Sequence, residues 1–460
     1  MTTDAMRMEQ QAEYPPEVYK GVRGTAVKIL TRIERTDAYL DRLLDAEMAG
    51  GEFNPLDKRL LNELVHGVMR NLLRLDWVLT SFYRGAYGKI EPEIRNALRV
   101  GLYQILFLTR IPHHAAVNEA VEFVKRFRGQ KPADTINGLL RNIARNIENI
   151  HYPLASGDEF QYLSVVHSHP MWLVRRWHAR YGFEQTESLL KANNMRPFLT
   201  LRYNPLRTDY RAFLETLTEM CIDYRRCFFL EDYVTVRNLP NIRQTRAFLD
   251  GLFTIQDESQ GLVGRLLAPR PGETVYDLCA APGGKSVHAA EMMRNEGRIV
   301  AVDLSPARLG LVRATAERLG ITIIETVEGD ASIVDLPPAD KVLVDAPCTG
   351  LGVLCKKPDI KWKREQDDIR KMAEIQRTIL DHAAHLVRPG GVLVYSTCTT
   401  EPEENAWQMR SFLERHPEFS VENARAFLAP QLVTGEGFME TLPHRHRMDG
   451  AFAARVARKK

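Results

Sequence analysis

The chain has 460 residues, 44% of them apolar and 26% charged, with a formal net charge of +3. Such totals exceed a single hydrophobic core and exclude a disordered or fibrous protein, so two or three folded domains are expected. No apolar run is long enough for a bilayer span, no apolar secretory core opens the chain, and six cysteines lie scattered without a CxxC pair or Cys/His cluster; the expectation is a cytoplasmic protein with no membrane span, no disulfide framework and no metal.

Residues 1–20 read as a polar tail. From 21 to 153, stretches such as "TAVKILTRI", "RLLNELVHGVMRNLLRLDWVLTSFY" and "AAVNEAVEFVKRF" repeat apolar residues at three-to-four spacing, with Pro and Gly between them, which predicts a helical bundle. Residues 21–150 carry 20 Lys/Arg against 15 Asp/Glu. That excess suits a nucleic-acid grip and equally a solvated helical surface. From 154 to 250, "FLTLRYNP", "RAFLETLTEM" and "EDYVTVRN" alternate strand, helix and strand, predicting a small α/β connector. Cys221 and Cys227 within it read as small buried apolar residues.

From 251 to 460 the runs "ETVYDLC", "RIVAVDL", "ITIIETV", "DKVLVDAP" and "GGVLVYSTC" alternate with helices, predicting an α/β domain with a parallel sheet covered on both faces. Ligands of such sheets bind beyond the carboxyl ends of the strands. Asp277, Asp303, Asp330 and Asp345 close four successive strands there. The turn "DLCAAPGGKS" (277–286) misses both the P-loop and the dinucleotide patterns, leaving a Pro-Gly-Gly turn and a helix start. Four carboxylates around one crevice would repel a pyrophosphate and suit hydroxyls, an exocyclic amine and a positive centre. S-adenosylmethionine carries all of these. A lone Asp at such a place is commonly a helix cap.

Two cysteines also end strands: Cys348 in "VDAPCTG" and Cys398 in "VYSTCTTEPEEN". A lone cysteine is most often a buried apolar residue, but two on polar turns over one crevice suggest nucleophilic chemistry. A thiolate can add to carbon-6 of cytosine and activate carbon-5 as an enamine. Asp345 would then bond the ring nitrogen and stabilise the adduct.

"DLCAAPGGK", "VDAPCTGLG", "KPDIKW", "YSTC" and "QDESQ" (256–260) together resemble the Sun/NOP2 family of RNA cytosine-5 methyltransferases. The resemblance implies a Rossmann-like class I methyltransferase domain using S-adenosylmethionine. It implies Cys398 as nucleophile, Cys348 as the residue aiding product release, and Asp345 as a third catalytic group. DNA cytosine methyltransferases attack with the P-C cysteine instead, so Cys398 points to RNA. The cofactor pocket it implies comprises Cys279, Ala280, Ala281, Pro282, Gly283, Gly284, Lys285, Asp303, Arg308, Asp330 and Asp345. "DKRLLNELVHGVMR", "PHHAAVNEAVEFVK" and "NGLLRNIARN" resemble a NusB-like RNA-binding bundle. Bundle, connector and catalytic domain together resemble a bacterial enzyme of the same family acting on 16S rRNA, as free RNA or a small-subunit assembly intermediate, and imply a monomer. A transfer-RNA methyltransferase and a non-catalytic NusB-like RNA-binding factor are the alternatives.

Other polar residues have plainer readings. His113 and His114 precede a helix as packing or capping groups, and Thr400 with Glu403 has capping-box spacing. Lys356, Lys357, Lys361, Lys363 and Arg364 suit RNA phosphates or a solvated loop alike. Where the family has a basic residue before "PDIKW", this chain places Cys355-Lys356-Lys357, keeping charge without a bidentate fork. Gly450-Ala451-Phe452 stands where an aromatic pair is common. Lys285 would neutralise a neighbouring carboxylate or orient Asp277.

Overall fold

The computed structural model describes residues 16–50, 53–236 and 242–460. Most of the expected tail lies outside these residues; its last part, Pro16–Tyr19, is a 3-10 turn whose Val18 and Tyr19 pack on the bundle core. Contacts divide the chain into two compact units, one of residues 1–190 with 357–363, the other of residues 191–356 with 364–460.

The first unit is helical. Its main helices are Gly21–Arg35, Leu40–Ala49, Pro55–Arg70, Leu72–Phe82, Pro92–Phe107, His113–Arg128 and Gln130–Arg145. Local sequence starts and stops them: the Asn54 side chain accepts from the Leu56 and Asp57 amides ahead of Pro55, and Gly129, at φ 84°, ends the helix before it. Their apolar stripes meet in one core holding Leu64, Val68, Leu98, Leu102, Val124 and Leu140. Gly67 permits close packing, because a Cβ there would lie 2.0 Å from the Tyr103 ring. His113 and His114 open their helix without a side-chain cap, so the capping role expected for them is not found; Pro112 is the cap residue.

Residues 357–363 complete this unit. Trp362 packs on its core and donates Nε1–H to the Met69 carbonyl at 2.7 Å. Lys361 is buried and donates to the carbonyls of Arg70 (2.9 Å) and Ser168 (2.7 Å). Lys363 donates to the Ala38 carbonyl, and Asp359 accepts from the Leu40 amide at 3.2 Å. Lys361 and Lys363, expected at RNA phosphates or in a solvated loop, are structural, because backbone carbonyls accept their hydrogen bonds.

The second unit has two sheets. The smaller is antiparallel, built from β1 (Leu199–Tyr203), β2 (Tyr224–Arg226), β3 (Tyr233–Val236) and β4 (Phe253–Ile255) in the order β2-β3-β1-β4. The larger has β5 (Thr274–Asp277), β6 (Arg298–Asp303), β7 (Ile324–Glu328), β8 (Ala339–Asp345), β9 (Val387–Thr397), β10 (Phe419–Val421), β11 (Met439–Thr441) and β12 (Ala451–Arg458). Its order is β10-β12-β9-β8-β5-β6-β7, with β11 paired to β12. The pairs from β9 to β7 are parallel, whereas β12 pairs antiparallel with β9, β10 and β11. The expected parallel sheet is thus mixed at its carboxyl-terminal edge. After β9 the chain passes through the helix Ala406–Arg415 to the short β10, and β12 then returns antiparallel between β9 and β10.

A buried ion pair ties the smaller sheet to a helix of the same unit. Arg202 of β1 meets Glu291, on the helix Gly284–Met292, at 2.8 Å, with both side chains at most 2% exposed. Burial pushes the Glu291 carboxyl up to about 7 despite Arg202. Cys221 is exposed, contrary to the buried reading, because it occupies a turn at φ 54° after a helix end.

Candidate active site

β8 and β9 are neighbours in parallel register, with Asp345 opposite Ser396. The turn after each strand carries one cysteine, so a local motif and one strand pairing suffice to bring the two together. Cys348 Sγ lies 3.3 Å from Cys398 Sγ. The adjacent Cys398 sulfur, and then burial, hold the Cys348 thiol well above its ordinary range. Both cysteines remain partly accessible.

Asp345 sits beside this pair, about one third exposed. It accepts from Lys285 Nζ at 2.5 Å and from Ser396 Oγ at 2.8 Å. Lys285 also donates to Gln260 Oε1. Of the two roles foreseen for Lys285, neutralising a carboxylate is realised on Asp345. Asp277 instead accepts from Ser286 Oγ at 2.6 Å.

The Pro-Gly-Gly turn is held between strand ends. Ala280 donates to the Val302 carbonyl at 2.9 Å, and Gly283 to Ala280 at 2.7 Å. Gly283 has φ 101°, and a Cβ there would come within 3.1 Å of Val312, so two independent constraints require glycine. Asp277 is 1% exposed, and its Oδ1 has no hydrogen-bond partner among the described residues. Burial is the main reason its carboxyl is pushed up to about 6. The Cys279 thiol is likewise raised, by burial and then by Asp277.

Asp303 is 5% exposed and accepts from the Ser305 amide (3.0 Å) and the Ala281 amide (3.3 Å). Arg308 approaches the same carboxylate at 3.4 Å and donates to the Ala281 carbonyl at 2.6 Å. A carboxylate has about four acceptor positions, so Asp303 keeps capacity for a ligand. Asp330 lies two residues beyond β7 and is exposed; its carboxylate closes on the Ser332 amide and hydroxyl, which hold it below its usual range.

The motif 256–260 organises the surroundings residue by residue. Gln256 donates to the Gly284 carbonyl at 3.0 Å and accepts from Tyr233 of β3 at 2.9 Å. Asp257 caps the helix Glu258–Leu267 and takes a 2.5 Å bond from Lys356, which also reaches Asp449 at 2.8 Å. Glu258 accepts from the Phe229 and Leu230 amides. Lys356, expected at an RNA phosphate, is therefore a clasp between two nearly buried carboxylates. Arg364 donates to the Thr349 carbonyl at 3.1 Å, while Lys357 stays exposed.

The turn after Cys398 differs from expectation. Pro402–Glu404 is a 3-10 helix preceded by Glu401, with no side-chain cap, and Thr400 bonds Glu401. The capping-box reading of Thr400 and Glu403 is not realised, because the turn is tighter than the α-helix that spacing serves. The adjacent Glu404 is buried and takes bonds from Thr349 and Gln376. Sequence reading missed Glu404, Gln376 and the separate duties of Gln256 and Gln260; only their presence in acid-rich or Gln-bearing motifs hinted at them.

Residues 264–457 match the family described as 16S rRNA methyltransferase RsmB/F. Residues 20–145 match the NusB family, and residues 169–243 a ferredoxin-like domain of RsmF/B-like methyltransferases. A probable ribosomal RNA small subunit methyltransferase B of Bacillus subtilis is 38% identical over 95% of this chain and 99% of its own length. A counterpart from Synechocystis is 35% identical over 94% and 98%. The crystal structure of PH0851 superposes with a TM-score of 0.80 at 29% identity, covering 98% of this chain and 100% of that one. Strand-end acids, paired cysteines and end-to-end likeness converge: the chain belongs to the ribosomal RNA small subunit methyltransferase B family of enzymes.

Proposed function

We propose that this enzyme methylates carbon-5 of a cytosine in 16S rRNA, with Cys398 forming a transient bond to carbon-6. The observation that carries the reading is the 3.3 Å approach of two sulfurs beside the Asp345–Lys285 pair. S-adenosylmethionine supplies the methyl group. The residues present fit it: Asp277 keeps a buried oxygen without a partner, Asp303 keeps acceptor capacity, and the Gly283 turn leaves no side chain over the helix start. Asp277 would face a positive group, Asp303 and Asp330 hydroxyl and amine donors, and Cys279–Lys285 and Arg308 would frame the rest.

Cys398, as thiolate, adds to carbon-6 and leaves electron density at carbon-5. The Cys398 sulfur 3.3 Å away and burial hold the Cys348 thiol above its ordinary range, and a hydrogen bond from that thiol would favour the anion on the attacking Cys398. Asp345, oriented by Lys285 and Ser396, bonds the ring edge and stabilises the charge that develops there. Once carbon-5 is methylated, its proton passes to solvent water, the carbon-5–carbon-6 double bond reforms and Cys398 departs with the electrons of the carbon–sulfur bond; the Cys348 thiol aids that release by donating a hydrogen bond to the charge that develops on the departing sulfur. The base must be unstacked for this attack, so the target is single-stranded or flipped. Residues 21–153 grip the RNA, with salt-sensitive affinity.

Transfer of labelled methyl groups to a small-subunit rRNA transcript, with transfer RNA alongside, tests the reading. Cys398→Ala is expected to abolish transfer while cofactor still binds, and Cys348→Ala to accumulate an RNA–protein adduct on a denaturing gel. Full activity in Cys398→Ala refutes the nucleophile; preference for transfer RNA refutes the substrate.

A further inference from the structure

Two adjacent residues, Glu404 and Asn405, reach both cysteine turns. Glu404 Oε2 accepts from the Thr349 amide and from Gln376 Nε2, each at 2.9 Å, and Oε1 accepts from the Thr349 hydroxyl at 2.5 Å. Gln376 donates in addition to the Pro347 carbonyl at 2.9 Å. The residues on either side of Cys348 are thereby fixed through one carboxylate. Asn405 treats Cys398 in the same way: its Oδ1 accepts from the Thr397 hydroxyl at 2.6 Å, and its Nδ2 donates to the Thr399 carbonyl at 3.0 Å. A hydroxyl pair, Thr349 Oγ1 and Thr399 Oγ1 at 2.9 Å, joins the two turns directly.

All of these groups are buried: Glu404 and Thr349 are 0% exposed, Thr397 and Thr399 1%, and Asn405 3%. The Tyr395 hydroxyl, donating to the Glu404 carbonyl at 2.6 Å, pins the same 3-10 turn to β9. Burying a carboxylate without a cationic partner is costly, and burial does push the Glu404 carboxyl above its usual range. A plain helix terminus would need no such group.

We propose that Glu404 and Asn405 are positioning residues that set the distance between the Cys348 and Cys398 sulfurs, and so govern how fast the RNA adduct forms and resolves. The inference rests on the reading of Cys398 as nucleophile and Cys348 as release group. Glu404 has a specific chemical requirement, since Thr349 and Gln376 present three donors to it. An amide at 404 either turns its NH2 group against the Thr349 amide and Gln376, or makes the Thr349 hydroxyl accept instead of donate and so changes its bond with Thr399. Thr349→Val keeps the shape and amide of residue 349 but removes the hydroxyl shared by Glu404 and Thr399; Thr349→Ser restores it.

The test is steady-state transfer of labelled methyl groups from S-adenosylmethionine to a small-subunit rRNA transcript by the full chain, with thermal melting and a denaturing gel for adduct. Glu404→Gln and Thr349→Val are expected to lower kcat about 10- to 100-fold, with KM for RNA within about twofold of the parent. A larger share of the protein is expected as persistent adduct, and Thr349→Ser is expected to recover most of the lost kcat. Normal kcat in folded Thr349→Val and Glu404→Gln overturns the proposal. So does a loss of kcat that follows the loss of melting temperature, without adduct and without rescue by serine. Cys398→Ala separates the two layers: if it retains turnover, the nucleophile reading fails; if it is inactive while Thr349→Val turns over normally, only the positioning role fails.

Discussion

Replacing Asp277 by Asn should stabilise the ligand-free protein and weaken cofactor binding at once. Asp277 is buried, and its carboxyl sits at about 6 instead of 3.8 because the ionised form is cut off from water. A folded-state value above the unfolded one means that the folded state holds the proton more tightly. Ionisation therefore costs stability, progressively as pH rises from about 4 through 6, and in full above that. An elevation of about two units corresponds to about 3 kcal/mol near pH 8, shrinking to about 1.5 kcal/mol near pH 5. Asn cannot ionise, yet its carbonyl oxygen can still accept from Ser286. Denaturant unfolding of both proteins at the two pH values reads the difference, and titration with S-adenosylmethionine reads the opposing loss of affinity. A gain that is the same at pH 5 and pH 8, or no gain at pH 8, refutes the claim that a buried, uncompensated charge is the cause.

Other substitutions probe the clasps around the site. Lys356→Met leaves Asp257 and Asp449 facing each other without their cation and should cost about 3–5 kcal/mol in denaturant unfolding; adding Asp449→Asn should return part of it. Arg202→Met strands the Glu291 carboxylate, and a loss of about 3–5 kcal/mol near pH 8 should diminish near pH 5, where Glu291 is protonated. Gly283→Ala forces a methyl group towards Val312 at a left-handed φ; about 1–3 kcal/mol of strain should appear as weaker S-adenosylmethionine binding in calorimetry. Trp362→Phe removes the bond to the Met69 carbonyl and should lower the stability of the helical unit by about 1–2 kcal/mol in thermal melts.

What the sequence discloses depends on how far apart the partners lie. The strands ending at Asp277, Asp303 and Asp345 are legible because each apolar run stops at its own carboxylate. The meeting of Cys348 and Cys398 is legible too, since one pairing between consecutive strands accounts for it. Glu404 is not, because its partners stand 28 and 55 positions away and its neighbour Glu403 has the more familiar spacing. Lys361 and Lys356 mislead in the opposite sense. A run of lysines ordinarily marks solvent, and only tertiary structure reveals that carbonyls and carboxylates enclose these two. The antiparallel edge of the large sheet escapes for a third reason: β10 and β11 are three residues each, too short for a periodic pattern.

The helical unit takes one of its staves, residues 357–363, from far along the chain. During synthesis its first 190 residues leave the ribosome long before the tryptophan that finishes their core. Until then the bed for Trp362 stays open, and the nascent bundle is an unfinished client, suited to chaperone binding. A gene cut after the bundle would yield the same unfinished piece as a permanent product, prone to self-association where the missing indole belongs.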